Sequence, residues 1–248
     1  MRTISRVSFA ILGVLVLSAC CVSGFDFGSE TVRINGSGVL ETLEYNFSDF
    51  DSIDASQTFE VDIQYADTYS VVVRVNEDLV EYLDVSVSGG RLNLGLKSGY
   101  SYNFRNATLE ADVSMPNLSR VALSGASSAY LSGFESTDSL RVDASGSSDV
   151  YGDIIAGDAR FDLSGASEIE LRGSCTLLEI DTSGSSSVHL EEFYAEAVEV
   201  FASGASEVNV WTDGHLNVDA SGDSEVFYES GAILGSINTS GTSSVRER

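Results

Sequence analysis

The sequence predicts an all-β chain wound into a parallel β-helix, or β-solenoid, of seven to eight coils of about 19 residues, with a β-rich region of hairpins in front of it. Three observations carry this reading. The tetrapeptide Ser-Gly-x-Ser recurs seven times, with its glycines at Gly125, Gly146, Gly165, Gly184, Gly204, Gly222 and Gly241. The steps between them are 21, 19, 19, 20, 18 and 19 residues, a near-constant period of the kind that marks stacked coils. Apolar residues also hold fixed places around each glycine with the period of two expected of strands.

Superposed on their glycines, the repeats form columns. Val121, Val142, Phe161, Ile180, Val200, Val218 and Ile237 stand four residues before the glycine. Leu123, Ala144, Leu163, Thr182, Ala202, Ala220 and Thr239 stand two before it, and Ala129, Val150, Ile169, Val188, Val208, Val226 and Val245 four after. All of these columns fit an inward face. Each coil then reads as strand, Ser-Gly-x-Ser corner, strand and a looser return. A sharp corner between strands asks for a positive φ, which a Cβ resists, so glycine is required there. The serines suit a cramped corner because their hydroxyls can bond backbone groups left out of the ladder. Ile53-Asp54-Ala55-Ser56-Gln57 matches Val142-Asp143-Ala144-Ser145-Gly146, which makes it a degenerate first coil with Gln57 in the glycine's place.

Ahead of the repeats, residues 1–19 read as an export signal. Arg2 and Arg6 precede a short apolar run from Phe9 to Leu17, too short to span a bilayer stably. Leu17-Ser18-Ala19-Cys20 resembles the lipobox of bacterial lipoproteins, which would leave Cys20 as a lipid-bearing N-terminus anchored in a membrane; the alternative is an ordinary secretory signal cut nearby. Residues 20–35 are expected to be a tether, and 36–118 an N-terminal β region leading into the coils of 119–248, the two forming one continuous domain. Within that region Val85 and Val87, then Gly89-Gly90, then Leu92, Leu94 and Leu96 predict a hairpin. Asn76 to Leu83 predict a short helix capped by Asn76, and Gly99 to Asn106 a polar, aromatic loop.

Charge excludes whole classes of partner. Thirty-eight acidic side chains face 13 basic ones, for a net charge of −25, which argues against nucleic acid or an anionic membrane surface. Beyond the signal only Cys21 and Cys175 remain as possible free thiols, so packing rather than cross-links must hold the fold.

The candidate sites lie on the outward columns. Asp143, Asp162 and Asp181 would stack on one face, with Asp149, Glu168, Glu207 and Glu225 on another. Stacked carboxylates repel unless screened, and Ca²⁺ accepts several oxygens, so these columns are candidate cation sites; the competing reading is a solvated face. Tyr130, Tyr151 and Phe227 share one outward column and could stack against sugar rings, or simply pack across the sheet. His189 and His215 have no metal-ligand spacing, and no serine stands out as a nucleophile. No cofactor is called for. Three readings follow: a non-enzymatic, lipid-anchored protein of the outer membrane or cell surface that binds a glycan or protein; a polysaccharide lyase; or a self-assembling module. For a lyase the coils offer Arg120, Arg141, Arg160 and Arg172 as basic residues, of which the first three are expected to stack and pair with neighbouring acids.

The ordered set Gly36-Ser37-Gly38, Phe50-Asp51-Ser52-Ile53, Phe59-Glu60-Val61-Asp62-Ile63, Val71-Val72-Val73-Arg74-Val75-Asn76, Gly90-Arg91-Leu92-Asn93-Leu94, Met115-Pro116-Asn117-Leu118 and the serial corners resembles the family of putative auto-transporter adhesins, head GIN domain. The resemblance runs over roughly residues 36–245. It implies a right-handed parallel β-solenoid on an envelope lipoprotein and carries over no catalytic residue.

Overall fold

The computed structural model describes residues 30–36 and 38–248. The signal segment, Cys20, Cys21 and the first part of the tether lie outside them. The N-terminal region holds β1 (Glu30–Asn35), β2 (Leu40–Tyr45), β3 (Ser52–Ala55), β4 (Glu60–Tyr65), β5 (Ser70–Asn76), β6 (Leu83–Ser88), β7 (Arg91–Leu96), β8 (Tyr100–Arg105) and β9 (Leu109–Met115). The repeats supply β10 (Arg120–Leu123), β11 (Ser128–Glu135), β12 (Leu140–Ala144), β13 (Asp149–Ile155), β14 (Asp158–Leu163), β15 (Glu168–Thr182), β16 (Ser187–Ala202), β17 (Glu207–Trp211), β18 (His215–Ala220), β19 (Glu225–Tyr228), β20 (Ile233–Thr239) and β21 (Ser244–Glu247).

Two parallel ladders run the length of the molecule. The entry ladder, leading into the corners, climbs β7, β3, β10, β12, β14, the second halves of β15 and β16, β18 and β20. The exit ladder climbs β9, β4, β11, β13, the first halves of β15 and β16, β17, β19 and β21. Both pass from the N-terminal region into the repeats without a break. Strands β15 and β16 run through 15 and 16 residues, so they serve two sides of the coil. Parallel strands with both ends joined through the core read as apolar on the inward side, and the three predicted columns are buried from Val121 to Val226.

The corners behave as their sequence demands. The seven glycines have φ between 75° and 82°. A Cβ on Gly165 would stand 2.4 Å from the carbonyl oxygen of Gly146 one rung below, so the rungs close only without it. The second serine of each motif turns its hydroxyl onto the first one's carbonyl at 2.5–3.0 Å. The degenerate coil is real: β3 and β4 lie under β10 and β11, and Gln57 takes a corner φ of 66°.

Four features differ from the sequence reading. The tether is shorter than expected, because β1 pairs in parallel with β8 along its whole length. Gly99 to Asn106 is correspondingly a strand rather than a loop. Tyr100-Ser101-Tyr102-Asn103-Phe104-Arg105 alternates with period two, and Tyr102 and Phe104 pack on the core. Residues Glu77–Tyr82 form a 3₁₀ helix with no side-chain cap; Asn76 Oδ1 instead accepts from the Thr108 backbone N–H at 2.7 Å. Lastly, the return is not loose. Phe134–Glu135, Ile154–Ile155, Gly173–Cys175 and Phe193–Ala195 extend the ladders around a further bend, after register shifts at Leu131/Phe134 and Glu170/Arg172.

The N-terminal end of the solenoid is closed by antiparallel strands. Gly89 and Gly90, both at positive φ, turn β6 back along β7, while β5 runs back along β9 with β2 beside it.

Candidate functional site

The outer surface of the entry ladder is an alternation of arginine and aspartate. Register puts Arg120, Arg141 and Arg160 in one column and Asp143, Asp162 and Asp181 in the next but one. Arg120 Nε reaches Asp143 at 2.6 Å, and Arg141 holds Asp143 at 2.8 Å and Asp162 at 2.6 Å. Arg160 continues the zigzag to Asp162 at 2.8 Å and then to Glu179. Burial pushes the Asp143 carboxyl upward, but hydrogen bonds and charge from Arg120 and Arg141 outweigh it and hold the group below the ordinary aspartate range. Guanidinium groups thus do the screening that the sequence reading offered to Ca²⁺. A cation here would have to displace them, and among the described residues no three His, Cys, Asp or Glu side chains are grouped to hold a metal ion. Asp149, Glu168, Glu207 and Glu225 form a ladder column on the exit side with Ser187 between Glu168 and Glu207.

The exit ladder carries the aromatic column. Its full order is Asp112, Asp62, Tyr130, Tyr151, Glu170, His189, Asn209, Phe227, Arg246. Tyr130 and Tyr151 are therefore neighbours, about 4.8 Å apart by rung spacing. Phe227 is set apart from them by three polar rungs and lies under the guanidinium of Arg248 at 5.1 Å. Tyr130 is 49% exposed. The tyrosine pair is framed at one end by Arg74, paired with Glu110 at 3.0 Å and with Asp112, and at the other by Arg172, paired with Glu192 at 3.0 Å. Shallow grooves of about 350 and 160 Å³ flank it, lined by Asp62, Arg74 and Asp112 on one side and by Asp153, Glu170 and Arg172 on the other. Partial burial, then the charges of Asp149, Glu168 and Glu170, push the Tyr151 phenol above its usual range, so it stays a neutral donor.

His189 is fixed by Asn209, whose amide lies 3.2 Å from Nδ1 and donates to Glu207 at 3.1 Å. Cys175 is buried, and desolvation pushes its thiol up to about 12, so it packs as a small apolar group. Each of the four arginines considered for lyase chemistry sits in an ion pair.

One cluster escaped the sequence reading. On the return face Tyr194 and Trp211 are ladder partners, their rings edge to face with centroids 5.4 Å apart. The Tyr194 hydroxyl donates to Asp213 at 2.5 Å, and that hydrogen bond raises the phenol above its usual range. The turn holding Asp213 is itself pinned, since the Gly214 N–H donates to the buried Thr212 hydroxyl at 3.0 Å. Counted from their glycines Tyr194 and Trp211 fall at +10 and +7, and only the register shift between Leu190 and Tyr194 aligns them. A glycine-based alignment hides that.

The fold is shared with several solved structures, all too distant in sequence to show more than the fold. A putative adhesin from Bacteroides fragilis is 16% identical with a TM-score of 0.79, covering 87% of this chain and 100% of that one. A putative lipid binding protein from Parabacteroides distasonis is 20% identical with a TM-score of 0.70, covering 88% of this chain and 100% of that one. A putative adhesin from Parabacteroides merdae is 14% identical with a TM-score of 0.63, covering 87% and 99%. No curated protein sequence matches the chain significantly. The profile of one family matches residues 49–232, from the loop just before β3 to the loop just before β20. The chain belongs to that family, the putative auto-transporter adhesins with a head GIN domain.

Proposed function

We propose that this protein is a non-enzymatic, adhesin-type binder of the cell envelope, held to the membrane through lipid on Cys20, which uses the side of its solenoid to bind saccharide. The observation that carries this reading is the pair Tyr130 and Tyr151 on adjacent rungs of a flat sheet, with paired arginines and carboxylates at both ends. Rings at that spacing offer apolar faces to the C–H faces of sugars. The flanking arginines and carboxylates supply donors and acceptors for the sugar's hydroxyls. The family and the solved relatives named as adhesins support a surface role. The ion pairing of all four candidate arginines counts against a lyase, which needs an unencumbered base.

A glycan array with the purified chain is the direct test. Tyr130→Ala with Tyr151→Ala is expected to weaken binding at least about tenfold, or about 1.4 kcal/mol, while the melting temperature stays close to wild type. Unchanged array binding by that double variant rules the pair out. The anchor is checked separately, by mass spectrometry of the mature chain from the membrane fraction: lipid is expected on Cys20, and Cys20→Ala is expected to release the protein.

A further inference from the structure

We infer that the return face holds a second saccharide site, built on Tyr194, Trp211 and Asp213 and selective for neutral oligosaccharides. The inference rests on the saccharide-binding reading above and adds a place and a ligand class to it.

The aromatic pair is preorganised. Asp213 fixes the Tyr194 hydroxyl, Thr212 fixes the turn that carries Asp213, and the ladder fixes both backbones. Trp211 is nevertheless 41% exposed, an unusual state for the only tryptophan of the chain. Rigid, amphipathic rings give contact area at small entropic cost, which suits recognition better than packing. Along the same outward column stand Ser174 and then Ile155, itself 42% exposed. Four rungs at about 4.8 Å make a wall long enough for a short oligosaccharide.

Beside the Ile155, Ser174 and Tyr194 rungs of that wall, next to Trp211, runs an open groove of about 460 Å³. Its lining mixes apolar groups such as Ile155 and Ala156 with the hydroxyls of Ser174 and Thr176 and the carboxylates of Asp158 and Glu196, and holds no cationic side chain. Carboxylates accept from sugar hydroxyls and repel uronic acids or sulfated sugars. In a chain of net charge −25 nothing in the lining offsets that repulsion. The complementary ligand is a neutral sugar chain with equatorial hydroxyls, whose flat C–H faces meet the rings while its edges meet the hydroxyls and acids.

Because Trp211 is the sole tryptophan, its emission reports this face and not the Tyr130–Tyr151 pair. The full chain is titrated with laminarihexaose, cellohexaose and chitohexaose, with hexagalacturonate as the acidic control. A saturable change is expected with at least one neutral hexasaccharide and none with the acidic one. Tyr194→Ala is expected to weaken it at least tenfold. Tyr194→Phe, which keeps the ring and loses only the bond to Asp213, is expected to weaken it about threefold, and it answers the question should the alanine variant fail to fold. Tyr130→Ala with Tyr151→Ala is expected to leave the signal unchanged. Silence with all three neutral sugars overturns the inference, as does equal or tighter binding of hexagalacturonate, or wild-type titration by both Tyr194 variants. If the array shows binding lost with Tyr130 and Tyr151 while Trp211 stays silent, this site falls and the proposed function stands.

Discussion

The two bends of each coil obey different rules. At the Ser-Gly-x-Ser corner, the residue after each glycine donates its backbone N–H to the corner below at 2.7–2.8 Å in all seven copies. At the return, the ladders slip register three times among β11, β13, β15, β16 and β17, and the outward residue changes from Ile155 to Ser174 to Tyr194 to Trp211. Where one rung is the template for the next, the side chain is dictated by backbone clearance and nothing is left over to vary. Where the register slips, each rung is free to differ, and the Tyr194–Trp211 pair sits there.

Substitutions can break this contrast. The largest effect is expected at a mid-stack corner: Gly165→Ala combines a φ of 81° with a Cβ at 2.4 Å from Gly146 O, and should cost at least about 4 kcal/mol in urea unfolding. Gly133→Ala, at a φ of 75° on the return side but with its nearest neighbour at 3.6 Å, should cost only about 1–2 kcal/mol. Equal costs would mean that backbone strain alone, not rung clearance, makes the corner glycine. Next comes Ser167→Ala, which leaves the Ser164 carbonyl without the hydroxyl bonded to it at 3.0 Å; about 1 kcal/mol is expected in the same assay.

Asp143→Asn should have the smallest effect, at most about 1 kcal/mol at low salt and less in 1 M NaCl, since the zigzag is half-exposed. Its sign with pH is fixed by the depressed carboxyl. The charged form is favoured by folding, so the contribution is present above the ordinary aspartate range and is lost as pH falls through the lower, folded value. Acid titration of Tm should therefore be flatter for the variant below about pH 4 than for the wild type.

The same contrast explains what could be read in the sequence. The corner columns were legible because inward position, glycine and serine all follow from a single local geometry repeated seven times. The degenerate coil at Gln57 was legible for the same reason, as was the pairing of Arg120, Arg141 and Arg160 with neighbouring acids. Arg–Asp alternation was not read from composition as the answer to Asp143 and Asp162, because which acid an arginine reaches depends on ladder register rather than on order in the chain. Phe227 was grouped with Tyr130 and Tyr151 because a shared column says nothing about the rungs between. Tyr194 and Trp211 stayed invisible because a register shift breaks the count on which the columns rest. The strand β8 was masked by its hydroxyls and amides, which occupy its outward positions.

Gln57 also marks where the corner rule stops. It has a corner φ of 66° yet carries a side chain, because β7 beneath it runs straight on through Gly95 to Leu96, whose N–H donates to Gln57 Oε1 at 3.2 Å. Glycine is demanded only of a corner that sits on a corner. The founding rung therefore tolerates a side chain, at the cost of its positive φ, while every later one requires glycine, and any such rung can be copied onto the next. Length becomes an adjustable quantity: duplicating one 19-residue unit would add about 4.8 Å to the stack and leave the closed N-terminal end untouched. A lineage of such proteins can lengthen the solenoid's side walls by whole-rung duplication alone.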